Sequence, residues 1–197
     1  MYTVCFIYPK KTLMCVLASI GFLSSGFYSI NVQAANILSC DNENDFITAT
    51  TTHLTDNTDG TITDPETGLI WKKCSEGQTW SSAGNSCTGV GDTGSYNWLQ
   101  ASWHAQAVNA GMEGQNFSQT DWRLPNIKEL ASIVELRCFS PAINNTVFPN
   151  AQSSFYWTSS SYAPSSYNVW NVNLKFGNGS ANVKDLSRHV RLVRSGQ

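Results

Sequence analysis

The chain has 197 residues, of which 41 % are hydrophobic and 13 % are charged, and its formal net charge is −2. This length suits one domain with its own core. The mildly acidic balance argues against a nucleic-acid-binding protein, because contact with the phosphate backbone requires a basic surface.

The N-terminal segment 1–34 has the pattern of a secretory signal. Lys10 and Lys11 precede a hydrophobic stretch over 13–32, and Val32-Gln33-Ala34 fits the small-x-small cleavage pattern. An uncleaved anchor is the alternative, because about 20 apolar residues can span a bilayer. The mature chain has no further apolar run of that length. We therefore predict a secreted, periplasmic or cell-surface protein.

The next elements follow from turn residues and from the period of the apolar residues. Residues 35–53 are predicted as a leader, and 54–64 as a hairpin around Asp59-Gly60, because glycine accepts the positive φ of a tight turn. A strand is predicted over 69–73. The segment 75–95 is rich in Gly, Ser and Thr and is predicted as a loop.

Two helices are predicted in the middle of the chain. The first runs from Tyr96 to Ala110, where apolar residues recur at helical spacing, namely Trp98, Ala101, Ala105 and Val108. The second begins at Asn126, which forms a variant of the capping box with Glu129, and ends near Leu136.

Four strands are predicted to complete the chain, at 155–159, 169–176, 180–184 and 189–194. In the second of them Trp170, Val172 and Leu174 alternate with polar residues, as in a strand with one buried face, and a turn is expected at 177–179. Strands, then helices, then strands predict an α+β domain in which two helices pack on a small antiparallel sheet. Both ends of the domain are expected on one sheet.

Several motifs in chain order resemble the Lcl C-terminal domain family. They include Asp59-Gly60-Thr61-Ile62-Thr63-Asp64, Asp121-Trp122-Arg123-Leu124-Pro125-Asn126, Tyr156-Trp157-Thr158-Ser159-Ser160 and Val190-Arg191-Leu192-Val193-Arg194. The resemblance covers residues 54–197. It implies a C-type-lectin-like fold and extracellular binding or adhesion, with an extracellular glycan or a surface protein as partner. It supplies no catalytic residue.

Four cysteines follow the signal, and an even number in an exported protein indicates disulfides. Cys74 and Cys87 lie in one Gly- and Ser-rich loop, so local pairing there leaves Cys40 with Cys138. The other two pairings stay open. A zinc site built from the four cysteines is the alternative, although the chain has no C-x-x-C motif.

The segment 55–66 has a weak likeness to a calcium-binding loop. With Gly60 at the sixth position, Asn57, Asp59 and Glu66 fall where an EF-hand loop has oxygen ligands. Thr55 then takes the first position, which requires a carboxylate. Two β-turns explain the same residues, so we predict no cofactor and keep calcium as the alternative.

Aromatic side chains are the best candidates for a ligand surface, because they present both an apolar face and, in Tyr and Trp, a polar group. Trp98 aligns with the apolar stripe of the first helix, which leaves Trp103 exposed, and Trp80 lies in the cysteine loop. The polar loop 159–168 supplies three further candidates, which are Tyr162, Tyr167 and Asn168.

The sequence thus predicts a secreted, non-catalytic binding or adhesion module. A structural cell-envelope protein without a small ligand is one alternative, and an unrecognised hydrolase is another. The chain has no G-x-S-x-G motif and no histidine pair at metal-binding spacing. It also has no heptad or collagen-like repeat, so nothing in it specifies an oligomeric state.

Overall fold

The computed structural model describes residues 2–7, 13–18, 53–89 and 95–196. The chain divides into two compact units, Met1–Ser39 and Cys40–Gln197. The first unit contains an antiparallel pair of strands, β1 (Tyr2–Ile7) and β2 (Leu13–Ala18). Within the described ranges, no helix has the length and hydropathy needed to cross a membrane. The removal of residues 1–34 stays a prediction, and the predicted leader lies outside the described residues except for His53.

The second unit holds the remaining elements. Its strands are β3 (Thr55–Asp56), β4 (Thr61–Asp64), β5 (Leu69–Lys72), β6 (Thr79–Ser81), β7 (Ser86–Thr88), β8 (Ser95–Tyr96), β9 (Phe155–Ser161), β10 (Asn168–Asn173), β11 (Asn178–Val183), β12 (Arg188–His189) and β13 (Val193–Ser195). Its helices are α1 (Trp98–Asn109), α2 (Ile127–Ser132) and a short 3₁₀ turn, Ser82–Gly84. The α+β class is therefore confirmed.

Two sheets and one hairpin replace the predicted small sheet. The four-stranded sheet has the order β13-β5-β4-β3 and the five-stranded sheet the order β11-β10-β9-β12-β8. All pairs are antiparallel except β12 and β9, which pair in parallel through His189 and Tyr156. Because β3 and β13 are the two edge strands of one sheet, both ends of the described domain belong to the same sheet, as predicted.

The two helices cover opposite faces of the strands. Successive side chains of a strand point to opposite faces. In β9, Tyr156 belongs to the buried cluster that contains Leu130 of α2, whereas Trp157 belongs to the cluster that contains Ala101 and Val108 of α1. The sheet therefore lies between two apolar layers. The prediction of one polar face for β10 is wrong for this reason, since Asn171 is fully buried.

Both helices begin at an asparagine cap. Gln100 N donates to Asn97 Oδ1 at 2.8 Å and Asn97 N donates to Gln100 Oε1 at 2.9 Å, which forms a capping box at α1. The predicted capping box between Asn126 and Glu129 is confirmed at α2. That helix ends at Ser132, earlier than the predicted Leu136. Glu135 N donates to Ala142 O and not to a carbonyl four residues earlier, so the helical hydrogen bonds do not continue.

The motif at 121–126 has a structural role. Trp122 is buried, and its backbone N donates to Oδ1 of Asn109, the last residue of α1, at 2.8 Å. Arg123 donates to both carboxylate oxygens of Glu129 at 2.8 Å each. The bidentate pair fixes the start of α2 against the preceding segment.

The predicted strand 189–194 is split between the two sheets. Residues 190–192 cross from β12 to β13, and the side chain of Arg191 is fully buried at the crossing. Its guanidinium donates to the backbone O of Lys72 at 2.8 Å and to that of Lys73. The buried guanidinium thus satisfies carbonyl groups at the end of β5, where strand pairing stops.

Two further predictions, one of a turn and one of a loop, are wrong in detail. The turn after β10 lies at 174–177, before the predicted 177–179, because Asn173 O accepts from Gly177 N at 2.8 Å. The predicted loop 75–95 contains the antiparallel hairpin of β6 and β7. The disulfide between Cys74 and Cys87 holds this hairpin.

Candidate functional site

A cleft of about 430 Å³ opens beside α1. It is lined by Ser95, Tyr96, Gln100, Trp103, His104, Ala107 and Glu113. Four of these residues lie on α1 at spacings of three and four, so they form one stripe of the helix. Strand β8 supplies two more, and Glu113 comes from the turn after the helix. The Trp103 side chain is 62 % exposed at this surface, whereas His104 is only 6 % exposed.

Hydrogen bonds to the five-stranded sheet fix the position of the cleft. Trp157 Nε1 donates to Tyr96 O at 2.8 Å, and Trp98 Nε1 donates to Thr158 O at 2.9 Å. The first bond holds β8 and the second holds the start of α1 against the strand β9. Both walls of the cleft therefore rest on the same strand.

His104 lies between two carboxylates. Its Nε2 is 2.8 Å from Glu76 Oε2, and its Nδ1 is 2.6 Å from Glu113 Oε2. The Tyr96 ring stacks on the imidazole with centroids 4.6 Å apart. Burial alone would lower the pKa of His104, but the hydrogen bonds and charges of Glu76 and Glu113 outweigh burial and raise this pKa above 6.5. The protonated ring then donates to both carboxylates.

Glu76 links this histidine to a buried lysine. Lys72 Nζ lies 2.7 Å from Glu76 Oε1, with both side chains buried. Burial alone would raise the pKa of Glu76, but the charge of Lys72 and the contacts with His104 hold it below its usual value of 4.5. Lys72, Glu76, His104 and Glu113 thus form a row of alternating charges, which we call the charge chain.

The exposed end of the charge chain is Glu113, whose side chain is 57 % exposed. Its Oε2 is held by His104, which leaves Oε1 to accept hydrogen bonds at the cleft. Tyr96 contributes a neutral ring, because burial and then the charges of Glu76 and Glu113 raise its pKa to about 12. The cleft therefore offers an indole, a phenol and one carboxylate oxygen to a ligand.

This arrangement suits binding better than proton transfer. A general base needs a free lone pair within reach of the substrate. Both nitrogens of His104 face carboxylates, and Glu76 is buried between His104 and Lys72. These contacts hold the His104 ring and the Glu113 carboxylate in one geometry at the cleft.

The structure gives different outcomes for the two predicted tryptophans. The expectation that Trp103 is exposed is confirmed, and it lines the cleft. Trp80 is 8 % exposed, so it does not present a face to a ligand. Lys73 Nζ lies 4.2 Å from the Trp80 ring centroid, and the ring packs with Cys74 and Cys87. The disulfide loop thus folds over this indole as a small core of its own.

The residues of the predicted loop 159–168 do not line the cleft. Tyr162 packs edge-on against Trp170, with centroids 5.2 Å apart, and is half-buried. Tyr167 is 80 % exposed, and Asn168 begins β10. A ligand site at these three residues stays a prediction.

The residues of the calcium alternative serve the hairpin instead. Asn57 Nδ2 donates to the side chains of Thr61 and Thr63, and Asp59 Oδ1 accepts from Thr61 N at 2.9 Å. Glu66 is exposed on the next turn. Across the described part of the chain, no group of three His, Cys, Asp or Glu side chains is placed to hold a metal.

The zinc alternative is wrong, because Cys74 and Cys87 form a disulfide with Cα atoms 5.4 Å apart. Cys138 is disulfide-bonded as well. Its expected partner, Cys40, lies outside the described residues.

Sequence reasoning missed the charge chain, although one signal was present. Ala101, His104, Ala105 and Val108 are all buried on α1, at helical spacing. A histidine within such a stripe must find polar partners, because burying an unpaired polar group is costly. The partner Glu76 is 28 positions away in sequence, so the pattern alone did not identify it.

The comparison with known families adds an independent line of evidence. The model of the Lcl C-terminal domain family matches residues 60–194, which is more than half of the chain. The chain belongs to this family. The match includes every residue that lines the cleft and confirms the family suggested by the motifs. The comparison with curated proteins found no similar sequence.

Proposed function

We propose that this chain is a secreted, non-catalytic binding module that recognises an extracellular glycan in the cleft beside α1. The observation that carries the proposal is the position of Trp103, whose indole is 62 % exposed at the cleft. Trp71, Trp122 and Trp157 are fully buried, so this exposure is not general to the tryptophans of the chain. An exposed aromatic face beside polar groups is typical of a ligand site.

The chemistry of the cleft fits a sugar. The apolar C–H face of a pyranose can stack on the Trp103 indole, while its hydroxyl groups donate to Glu113 Oε1. Hydrogen bonds to a charged acceptor are stronger than those between neutral groups. Because His104 holds the carboxylate of Glu113, little side-chain freedom is lost on binding.

The C-type-lectin-like fold and the export of the chain belong to the same proposal. Both domain ends belong to one sheet and the two helices pack in different apolar layers, which supports the fold. The Cys74–Cys87 disulfide supports an oxidising compartment, because such bonds persist mainly outside the cytosol. A secreted, periplasmic or cell-surface location fits both features.

A glycan array with the purified chain, with and without calcium, tests the proposal. We expect binding that does not depend on calcium. Each glycan that binds is then titrated against the wild type, Trp103→Ala and Tyr167→Ala. The last two remove exposed aromatic side chains inside and outside the cleft. We expect Trp103→Ala to weaken binding about tenfold, in line with the loss of one stacking contact, and Tyr167→Ala to leave it unchanged.

Two results would contradict the proposal. If no glycan binds in either condition, the glycan-binding function is rejected, and a structural cell-envelope role becomes the better explanation. If Tyr167→Ala weakens binding and Trp103→Ala does not, the site lies in the loop 159–168.

A further inference from the structure

The charges at the cleft are distributed unevenly. Of the described residues that line it, only His104 and Glu113 carry ionisable charge at ordinary pH. His104 is 6 % exposed, whereas the Glu113 side chain is 57 % exposed. The other cation of the charge chain, Lys72, is buried and paired with Glu76. A ligand therefore meets the negative end of the chain first.

We propose that the cleft selects a sugar that carries a protonated amine. The inference rests on the glycan-binding function proposed above and names the ligand class. An ammonium group donates a charge-assisted hydrogen bond to the Glu113 carboxylate. It also gains a cation–π contact when it lies over an indole such as Trp103. The two groups line one cleft, so one amino sugar can reach both.

The contact with His104 keeps the Glu113 carboxylate turned toward the cleft. Glu113 Oε2 is 2.6 Å from His104 Nδ1, so the carboxylate cannot turn away without losing that bond. Its other oxygen accepts from the ligand. The described part of the cleft lining contains no Lys or Arg that could pair with the negative charge of an acidic sugar. Sulfated and carboxylated sugars should therefore bind more weakly than amino sugars.

Three oligosaccharides of equal length test the inference directly. They are oligomers of glucosamine, of N-acetylglucosamine and of N-sulfated glucosamine, which differ only at the nitrogen. Titrations are run at a mildly acidic pH, where the free amines are protonated. We expect the amine form to bind about fivefold more tightly than the acetylated form, as one exposed cation–π and ionic contact allows. The sulfated form should bind most weakly.

Two isosteric variants locate the preference. Glu113→Gln replaces the carboxylate with a neutral amide, so it should weaken binding of both forms and abolish the advantage of the amine form over the acetylated form. Glu66→Gln removes an exposed carboxylate on the turn between β4 and β5 and should leave the preference unchanged. Thermal unfolding checks that both variants are folded.

The outcomes separate the two proposals. If the acetylated oligomer binds as tightly as the amine form and depends on Trp103, the glycan function stands and the amine inference is overturned. Tightest binding of the sulfated form also overturns the inference. If none of the three oligomers binds but another glycan on the array does, the inference alone fails. If no glycan binds at all, both proposals fail.

Discussion

Glu76 Oε2 lies 2.8 Å from His104 Nε2, and this buried contact joins the loop after β5 to the helix α1. The same carboxylate pairs with Lys72 through its other oxygen at 2.7 Å. One acidic side chain therefore fixes two cations and places the helix that carries Trp103. The cleft depends on this contact for its shape.

Glu76→Gln should destabilise the fold strongly. The substitution keeps the shape but leaves Lys72 buried without the charge that compensates it, and leaves His104 with Glu113 as its one carboxylate partner. Breaking a buried ion pair from one side costs about 3–5 kcal/mol. We expect a loss of about 3 kcal/mol in the free energy of unfolding, measured by urea denaturation. Glu66→Gln, on an exposed turn, should change it by less than about 0.5 kcal/mol. Equal effects would show that the charge chain does not stabilise the fold.

The protein should lose stability as the pH rises, because His104 loses its proton. Its pKa is raised in the folded state by Glu76 and Glu113, so its contribution is fully present below its ordinary value of 6.5. That contribution is lost as the pH rises through the raised value. As the pH rises from 6.5, the midpoint of thermal unfolding should fall for the wild type and should change less for His104→Gln. Parallel profiles would contradict this role.

The acid side depends on Glu76, whose pKa is held below 4.5 in the folded state. Its contribution is present above that value and is lost as the pH falls through the lowered one. The charge chain therefore stabilises the fold most between about pH 4.5 and 6.5. In thermal unfolding, the midpoint of Glu76→Gln should therefore fall less than that of the wild type as the pH is lowered below 4.5.

The disulfide between Cys74 and Cys87 should stabilise the hairpin of β6 and β7 and keep Trp80 covered. The two cysteines are 13 positions apart, and closing a loop of that size contributes about 3 kcal/mol. Replacing both with Ser should lower the free energy of unfolding by about that amount. It should also increase quenching of tryptophan fluorescence by acrylamide. Unchanged quenching would show that Trp80 is covered without the disulfide.

Arg191→Lys should be poorly tolerated in spite of the retained charge. The guanidinium donates to the backbone O of Lys72 and Lys73 and to Ser75 Oγ, which one ammonium group cannot reproduce. An unsatisfied buried polar group costs about 1–3 kcal/mol. We expect a loss of about 2–3 kcal/mol in denaturant unfolding. Arg188→Lys is the control, because among the described residues Arg188 donates only to the neighbouring Ser187 O, and a Lys can keep its cation–π contact with the Phe155 ring. A similar loss for both would contradict the special role of Arg191.

The sequence predicted the elements whose causes are local. The hairpin around Gly60, the start of α2 at Asn126 and the extent of α1 depend on turn glycines, caps and helical spacing, all of which involve neighbours in the chain. The pairing of Cys74 with Cys87 followed from their position in one loop.

The remaining features depend on distant residues. Arg191 is bonded to Lys72 across 119 positions, and no local pattern shows that it ends one strand and begins another. Trp80 is covered by Lys73 and by the disulfide, which only the folded loop brings together. Trp103 was predicted to be exposed from helical phase, but its neighbour Glu113 lies beyond the helix and joins it only in the tertiary structure.

If a glycan binds beside α1 and stacks on Trp103, the indole N–H of this residue lies at the binding site. The chain has seven tryptophans, and each gives an indole N–H signal in a ¹H–¹⁵N NMR spectrum. The signal that is missing from the spectrum of Trp103→Phe belongs to residue 103. The spectrum is recorded while the best-binding oligosaccharide from the array is added. We expect the Trp103 signal to shift most, with saturation at the measured affinity. A Trp103 signal that stays in place while the glycan binds would contradict this binding site.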